Sequence, residues 1–224
     1  MPGCILDMHD PSSCADKISR GIADLGLVPV AMLPLLKQHH IHTDYCIGAK
    51  GAVRSVLLCS QVPLSEIDTL LLDYQSITSV QLIKILCHTF WHINPKFEST
   101  KPGFETQIRR NTAGLIIGDR ALQTSNLYKY KFDLAEAWYE MTGLPFVFAC
   151  WVSIKKIDSK VVNSFSKALQ WGLNNRAKLI QELAQEVWDY ELLNDYLTRN
   201  ISYTLEGKMK QGMKLFLKMI SDPS

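Results

Sequence analysis

Short apolar segments that alternate with helical segments constrain the fold of this chain more than any other feature. Residues 69–73, 114–117 and 146–152 are nearly continuous apolar runs of strand length. Between and after them, apolar residues recur at the three- and four-residue spacing that is typical of helices. Such alternation predicts an α/β fold with a mainly parallel sheet and helices on its faces.

The charge and apolar patterning exclude several classes of protein. The 24 basic and 22 acidic residues leave a formal net charge of +2, which is not the basic surface of a nucleic-acid-binding protein. No apolar run reaches the roughly 20 residues that a membrane span needs, and the start of the chain has no signal-peptide pattern. The six cysteines form no Cys-x-x-Cys pair, which favours reduced thiols. We therefore expect a cytoplasmic protein with neither nucleic acid nor a membrane as its partner.

The turn that begins at Ser76 is a candidate anion-binding site, because it follows an apolar strand and opens a helix. If Ser76 caps this helix, the next backbone amides have no helical acceptor, and the helix dipole favours a negative charge there. The hydroxyl groups of Thr78 and Ser79 lie in the same turn. On the residues alone, an ordinary serine cap with no ligand is the simpler explanation of the pattern.

Two further positions carry weaker signals. Gly118 and Asp119 follow the strand at 114–117, where glycine allows close backbone approach and the carboxylate can orient a hydroxyl or cap a helix. Ser55 lies in an otherwise apolar alternating segment, so its hydroxyl must either bond to neighbouring groups or face a cavity.

Patterns for other chemistries are incomplete. His88 and His92 have the i, i+4 spacing of a zinc pair but no intervening glutamate or evident third ligand, so we expect them to pack in a core or interface. The histidines near Cys46 lie in a polar segment, which favours solvated side chains. We expect no metal site. The chain also lacks a Gly-x-Ser-x-Gly nucleophile elbow.

Five segments taken in order resemble one known family. They are DLGLVPVAML, DYCIGAKGAVRSVLLCSQVPL, LLLDYQSITSVQLIKIL, AGLIIGDRAL and DLAEAWYEMTGLPFVFACWV. The chain is similar to the chorismate dehydratase family of the futalosine (alternative menaquinone) pathway, and TGLPFVFACWV, SITS and IIGDRAL are the most specific of these motifs.

The resemblance implies a two-lobed α/β fold of the type II periplasmic-binding-protein kind. One lobe is expected from residues 1–61 and 152–224, and the other from 62–151. Family members open with a strand and loop of the Ser-Tyr/Phe-Leu-Asn type before the first of these segments. That motif is absent from this sequence, so we expect the first lobe to lack its opening strand.

The resemblance also implies an activity and the residues that serve it. The expected reaction is a hydro-lyase step that removes water from chorismate, a small-molecule dicarboxylate, to give 3-(1-carboxyvinyloxy)benzoate without a cofactor. Ser55 matches the catalytic serine beside the reacting ring. The residues that match substrate-binding positions are Ser76, Thr78, Ser79, Gly118 and Asp119.

Two alternatives to a chorismate dehydratase remain open. One is an enzyme of the 1,4-dihydroxy-6-naphthoate synthase type from the same pathway. The other is a solute-binding protein without catalysis, because the same fold serves many binding modules.

Overall fold

Two β-sheets with helices packed on them make up the described part of this computed structural model, residues 3–184 and 189–222. The strands are β1 (Gly26–Pro29), β2 (His40–Ala49), β3 (Val56–Ser60), β4 (Thr69–Leu72), β5 (Lys96–Ser99), β6 (Thr112–Ile117), β7 (Tyr130–Asp133), β8 (Phe146–Ser153) and β9 (Ser202–Thr204). The α-helices are α1 (Pro11–Ser19), α2 (Ile77–Ile85), α3 (Gly118–Thr124), α4 (Leu134–Thr142), α5 (Ser159–Asn174), α6 (Arg176–Ala184), α7 (Tyr190–Asp195) and α8 (Lys208–Ser221).

The first sheet has the strand order β1-β8-β2-β9, and all of its paired strands run antiparallel. The long strand β8 lies between β1 and β2, with Cys150 facing Cys46 in register. The prediction of a mainly parallel sheet is therefore wrong here. The physical reason is that β8 pairs with β1 and β2, which come from a distant part of the chain, and a buried apolar run records burial but not the direction of its neighbouring strands.

The second sheet is mixed, with the order β5-β4-β6-β3-β7. β4 runs parallel to β5 and β6, whereas β3 runs antiparallel to β6 and β7. The parallel prediction holds only for the three strands β4, β5 and β6. Since β4 and β6 are parallel neighbours, their carboxyl ends lie at the same edge of this sheet.

Strand pairing bears on where the two lobes divide. β3 pairs in the second sheet, although the expected boundary of 1–61 assigns it to the first lobe. β8 pairs in the first sheet from Phe146 onward, although 62–151 assigns most of it to the second lobe. A run of apolar residues does not reveal its partner strand, and for that reason the boundaries expected from the sequence differ from those indicated by strand pairing. We propose that one lobe comprises residues 3–49 with 146–184 and 189–222, and that the other comprises residues 55–145, because Ser55 O continues the pairing of β3 with β6 by accepting from Gly118 N.

An aromatic cluster joins the two lobes into one core. Trp138 of α4, Phe146 of β8 and Phe216 of α8 are all fully buried. Their ring centroids lie 5.0–6.1 Å apart in edge-to-face arrangements. Each such pair stabilises a fold by about 0.5–1.5 kcal/mol beyond its buried area. The cluster thereby fixes where the chain returns from the second sheet to the first.

Candidate functional site

The turn between β4 and α2 has the capped geometry that the sequence predicts. Ser76 Oγ accepts a hydrogen bond from Ser79 N at 3.1 Å, and α2 begins at Ile77. The first helical donor is Val80 N, which bonds to Ser76 O at 3.1 Å. The amides of Ile77 and Thr78 precede that donor and so have no acceptor within the helix. This turn therefore has the backbone geometry of a helix N-terminus, the kind of site at which anions can bind, and its role as an anion site stays a prediction.

The hydroxyl groups in this turn are engaged within the protein. Thr78 and Ser79 are each 1% exposed. Thr78 Oγ1 donates to Phe148 O at 3.2 Å and accepts from Ala31 N at 3.3 Å, while Ser76 Oγ and Ser79 Oγ are 2.8 Å apart. Thr78 thereby ties α2 to the first sheet. The predicted binding role of these two side chains stays a prediction, and their clearest contribution is to hold the amides in place.

Arg120 connects this turn to the start of α3. Its guanidinium donates to Asp73 Oδ2 at 2.5 Å, to Gln75 Oε1 at 2.8 Å and to Glu105 Oε1 at 2.7 Å. The same group lies 4.9 Å from the ring centroid of Tyr74, within cation–π range. The sequence reasoning missed this contact, although Arg120 stands inside the IIGDRAL motif. A basic residue directly after Gly-Asp at a strand end was the available signal.

Asp73 is the buried end of this ion pair. Its side chain is fully buried, and burial raises the pKa of the carboxyl group, while the N–H of Gln75 and the charge of Arg120 act in the opposite direction. Gln75 N donates to Asp73 Oδ1 at 2.8 Å. The carboxylate is thus bonded on both oxygens, which is how a buried charge is tolerated.

Ser55 and Gly118 meet where β3 and β6 lie side by side. Gly118 N donates to Ser55 O at 2.7 Å, and Ser55 is 4% exposed. Gly118 has φ +62°, the left-handed region that favours glycine. Asp119, the next residue, is exposed. The structure therefore brings these three predicted residues together.

Tyr196 is a residue of this site that the sequence reasoning missed. Its phenol donates to Ser55 Oγ at 3.0 Å, although 141 positions separate the two residues. Burial, and to a smaller extent the charge of Asp119, raise the pKa of Tyr196. In the same turn of π-helix (Tyr196–Asn200), Asn200 Nδ2 donates to Ala52 O at 3.0 Å. No sequence signal marks Tyr196, because the contact depends on how the two lobes meet.

The backbone that carries Ser55 is fixed by Asp133. Arg54 has φ +65°, and its N–H donates to Asp133 Oδ2 at 2.6 Å. The other oxygen of Asp133 caps α4 by accepting from Ala135 N at 3.0 Å and Glu136 N at 3.2 Å. Burial raises the pKa of Asp133. One carboxylate thus sets both the loop before β3 and the start of a helix.

Taken together, the predicted residues lie along one chain of contacts at the carboxyl ends of β4 and β6. Ser55 bonds to Gly118, and Arg120 follows two positions later in α3. Arg120 in turn bonds to Gln75, which directly precedes Ser76. In open α/β sheets this edge is where ligands bind.

Two concave surfaces lie away from these residues. One, of about 500 Å³, is lined by His39, His40, His42 and Lys156 among others. The other, of about 680 Å³, includes Trp91, His92, Tyr130 and Phe132. Neither is lined by a predicted site residue. The chemistry of the side chains, rather than the size of a cavity, therefore identifies the candidate site.

The histidine pair at His88 and His92 lies outside the core. A turn of π-helix ends at Phe90, and His92 has φ +52°, so the two side chains do not share one helical face. Both histidines are exposed, so they do not pack in the core, and the alternative that they pack in an interface stays a prediction. Within residues 3–184 and 189–222, no group of three or more His, Cys, Asp and Glu side chains is arranged to hold a metal ion.

The cysteines include four buried thiols. Cys46, Cys59, Cys87 and Cys150 are buried, and burial raises the pKa of each to about 12. These thiols are therefore protonated and unreactive at neutral pH.

None of the helices in the described part of the chain has the length and apolar composition that a membrane span requires.

Solved structures with the same fold confirm the predicted architecture. Protein AF1704 from Archaeoglobus fulgidus is 14% identical, with a TM-score of 0.72 over 96% of this chain and 84% of that one. The alkanesulfonate-binding protein SsuA from Xanthomonas axonopodis pv. citri is 12% identical, with a TM-score of 0.59 over 96% of this chain and 80% of that one. The periplasmic aliphatic sulphonate binding protein SsuA from Escherichia coli is 13% identical, with a TM-score of 0.56 over 98% and 78%. The α/β fold of the periplasmic-binding-protein type is thus confirmed.

Sequence comparison adds the family. The chorismate dehydratase of Thermus thermophilus is 27% identical over 199 residues, which cover 80% of this chain and 73% of that protein. A family model described as menaquinone biosynthesis matches residues 3–222. Since that match spans nearly the whole sequence, the chain belongs to the menaquinone biosynthesis family.

Proposed function

We propose that this protein is a chorismate dehydratase, a hydro-lyase that converts chorismate to 3-(1-carboxyvinyloxy)benzoate and water. The observation that carries the proposal is the single chain of contacts from Ser55 through Gly118 and Arg120 to the capped turn at Ser76. Membership of the menaquinone biosynthesis family and the similarity to the Thermus thermophilus dehydratase support it.

The reaction requires little covalent chemistry from the protein. A ring C–H bond breaks, its electron pair forms a new ring double bond, and the neighbouring C–O bond breaks as the hydroxyl group leaves. The leaving oxygen gains a proton and becomes water. Because the product ring is aromatic, much of the driving force lies in the substrate. The site must therefore orient the dicarboxylate, exclude water and move a proton.

Each part of the candidate site fits one of these tasks. The amides of Ile77 and Thr78, which have no acceptor within α2, provide a seat for a substrate carboxylate. The left-handed backbone at Gly118 lets the main chain approach the ligand closely. Ser55 supplies a hydroxyl group beside the ring, where it donates to the leaving oxygen.

The proton acceptor is the remaining requirement. A serine hydroxyl group is a poor base at neutral pH, and the carboxylate of Asp73 is occupied by Arg120 and Gln75. We propose that the side-chain carboxylate of chorismate itself removes the ring proton. An analogue without this carboxylate is then bound but not dehydrated, and its turnover at the normal rate would reject the idea.

A solute-binding protein is the second candidate, because sulfonate-binding proteins share this fold. An enzyme of the 1,4-dihydroxy-6-naphthoate synthase type is the third. The fold alone does not separate the three.

One experiment distinguishes these candidates. Purified protein is incubated with chorismate, and the ultraviolet spectrum is followed while the diene becomes an aromatic ring. The product is identified by mass, and the Ser55→Ala variant serves as the matched control. We expect formation of the aromatic ether by the wild type and a strong loss in the variant. Binding of chorismate without turnover would favour a solute-binding protein, and absence of both would reject chorismate as the ligand.

A further inference from the structure

The hydroxyl group of Ser55 has a partner from the opposite lobe, the phenol of Tyr196. Ser55 lies between β2 and β3, whereas Tyr196 belongs to the C-terminal segment whose strand β9 lies in the first sheet. The two oxygens are 3.0 Å apart. This contact therefore joins a proposed catalytic side chain to the other lobe.

The turn that carries Tyr196 is held firmly. Ile201 N bonds to Tyr196 O at 3.1 Å, and Leu197 O accepts from Arg176 Nη1 at 3.0 Å and from Tyr203 Oη at 3.1 Å. The guanidinium of Arg176 also lies 5.1 Å from the ring centroid of Tyr203. Such support fixes the direction of the Tyr196 side chain, which is a requirement for a residue that orients another.

Hydrogen-bond chemistry decides which oxygen donates. A phenol is a stronger acid than an alkyl hydroxyl, so the Tyr196 proton points to Ser55 Oγ. Burial raises the pKa of Tyr196, which keeps that proton in place at neutral pH. Having accepted this bond, Ser55 still holds its own proton, which is free to be donated to a third atom.

We infer that Tyr196 is a positioning residue that turns the Ser55 hydroxyl proton toward the departing oxygen of the substrate. The inference rests on the proposed dehydration and adds to it a residue from the first lobe. Without the phenol, the serine hydroxyl group rotates freely and its proton spends less time on the productive side. Because the departing oxygen develops charge only during reaction, the loss falls on kcat rather than on KM.

A mutant cycle tests this inference with the full chain. We expect Tyr196→Phe to lower kcat about three- to tenfold, the range for one hydrogen bond, with KM changed less than about twofold. In a Ser55→Ala background the same substitution should have no further effect, because the side chain through which Tyr196 acts is gone. The control is Tyr45→Phe, which removes a phenol bond of 2.7 Å to Gln170 in the first lobe.

Each outcome of the cycle is informative. Thermal melting of every variant establishes that it folds, and Tyr196→Phe removes one oxygen while keeping the ring. Wild-type kcat in Tyr196→Phe overturns the inference. An equal loss in the Ser55→Ala background also overturns it, because the tyrosine then acts independently of the serine. If the wild type neither binds nor dehydrates chorismate, the proposed function falls and this inference with it.

Discussion

The Arg120→Ala substitution removes the cation that lies between Asp73, Gln75 and Glu105, and its cost follows from the burial of these groups. Deleting one partner of a buried ion pair costs about 3–5 kcal/mol, because it leaves the other charge without compensation. Asp73 meets that condition, since its side chain is 0% exposed.

Two features of the pair reduce the expected cost. The side chain of Arg120 is 25% exposed, so water replaces part of the lost contact. The N–H of Gln75 still donates to Asp73, whose carboxyl group also takes up a proton readily because burial raises its pKa. We therefore expect a loss of about 2–3 kcal/mol in the free energy of unfolding. At about 2–4 °C per kcal/mol, the melting temperature falls by about 4–12 °C.

The pH dependence of this loss has a definite sign. Without Arg120, the folded-state pKa of Asp73 rises further above the unfolded value of about 3.9. A carboxyl group with a raised folded pKa contributes stability below the unfolded pKa and loses it as the pH rises through the folded pKa. The gap between the wild type and the variant should therefore widen between about pH 4 and pH 7.

Urea unfolding at acidic and neutral pH measures both effects. The control is Arg20→Ala, which breaks an exposed pair with Asp16 and should cost less than about 0.5 kcal/mol. Arg120→Lys keeps the charge but not the fork of donors, so its loss should lie between those of the two alanine variants. An Arg120→Ala variant as stable as the Arg20→Ala variant would refute the reasoning, as would a gap that narrows with rising pH.

Two further predictions concern the frame around the site. In α8 the Cβ of Gly212→Ala would lie 2.0 Å from Pro145 O, so we expect the free energy of unfolding to fall by about 1–3 kcal/mol. The control is Gly172→Ala in α5, whose Cβ would have no atom within 4 Å, so its free energy of unfolding should rise by up to about 1 kcal/mol. Chemical denaturation of both variants checks this, and equal stabilities would contradict it. Asp133→Asn places an amide nitrogen against the N–H of Arg54 or the cap of α4 and should cost about 1–3 kcal/mol. Because burial raises the pKa of Asp133, the wild-type stability falls as the pH rises above about 4. The stability difference between the wild type and Asp133→Asn should therefore narrow toward neutral pH. Chemical unfolding at acidic and at neutral pH measures this difference, and a difference that widens with pH would contradict the argument.

Helix starts were predictable from the sequence because caps act over a few residues. Asp10 accepts from Ser12 N and Ser13 N, with Pro11 at the first helical position, as the local sequence indicates. Ser76 caps α2 in the same way. Apolar strands such as β4 and β8 were equally visible, since their burial is recorded directly in residue type.

Strands that begin in or consist of polar segments were not predictable in the same way. Residues 94–103, with two prolines and a single large apolar residue, show no strand pattern, yet β5 occupies Lys96–Ser99 and pairs with β4. Residues 38–43 form a polar segment that likewise shows no strand pattern, although β2 begins at His40 opposite Ser153. Both segments are polar because an edge or partly exposed strand buries little, so only the partner strand reveals them.

The residues of the candidate site also fall into two groups, those predictable from the local sequence and those revealed only by tertiary contacts. Ser55, Ser76 and Gly118 were found because their own residue types stand out at strand ends. Arg120 and Tyr196 were not, because their roles come from contacts with residues 47 and 141 positions away. Such contacts depend on strand order and on how the two lobes meet, neither of which residue spacing records.

A shared fold leaves open whether the site binds or reacts, and the Ser55 hydroxyl group offers a physical criterion. A solute-binding protein would direct that proton at an atom already charged in the bound ligand, such as a carboxylate oxygen. Removing the Tyr196 phenol would then weaken ground-state binding. A dehydratase would direct it at the hydroxyl oxygen that gains charge only as the C–O bond breaks, so the same change would lower kcat while binding stays the same. Comparing the change in chorismate binding with the change in kcat in the Tyr196→Phe variant therefore reports which atom the serine proton faces.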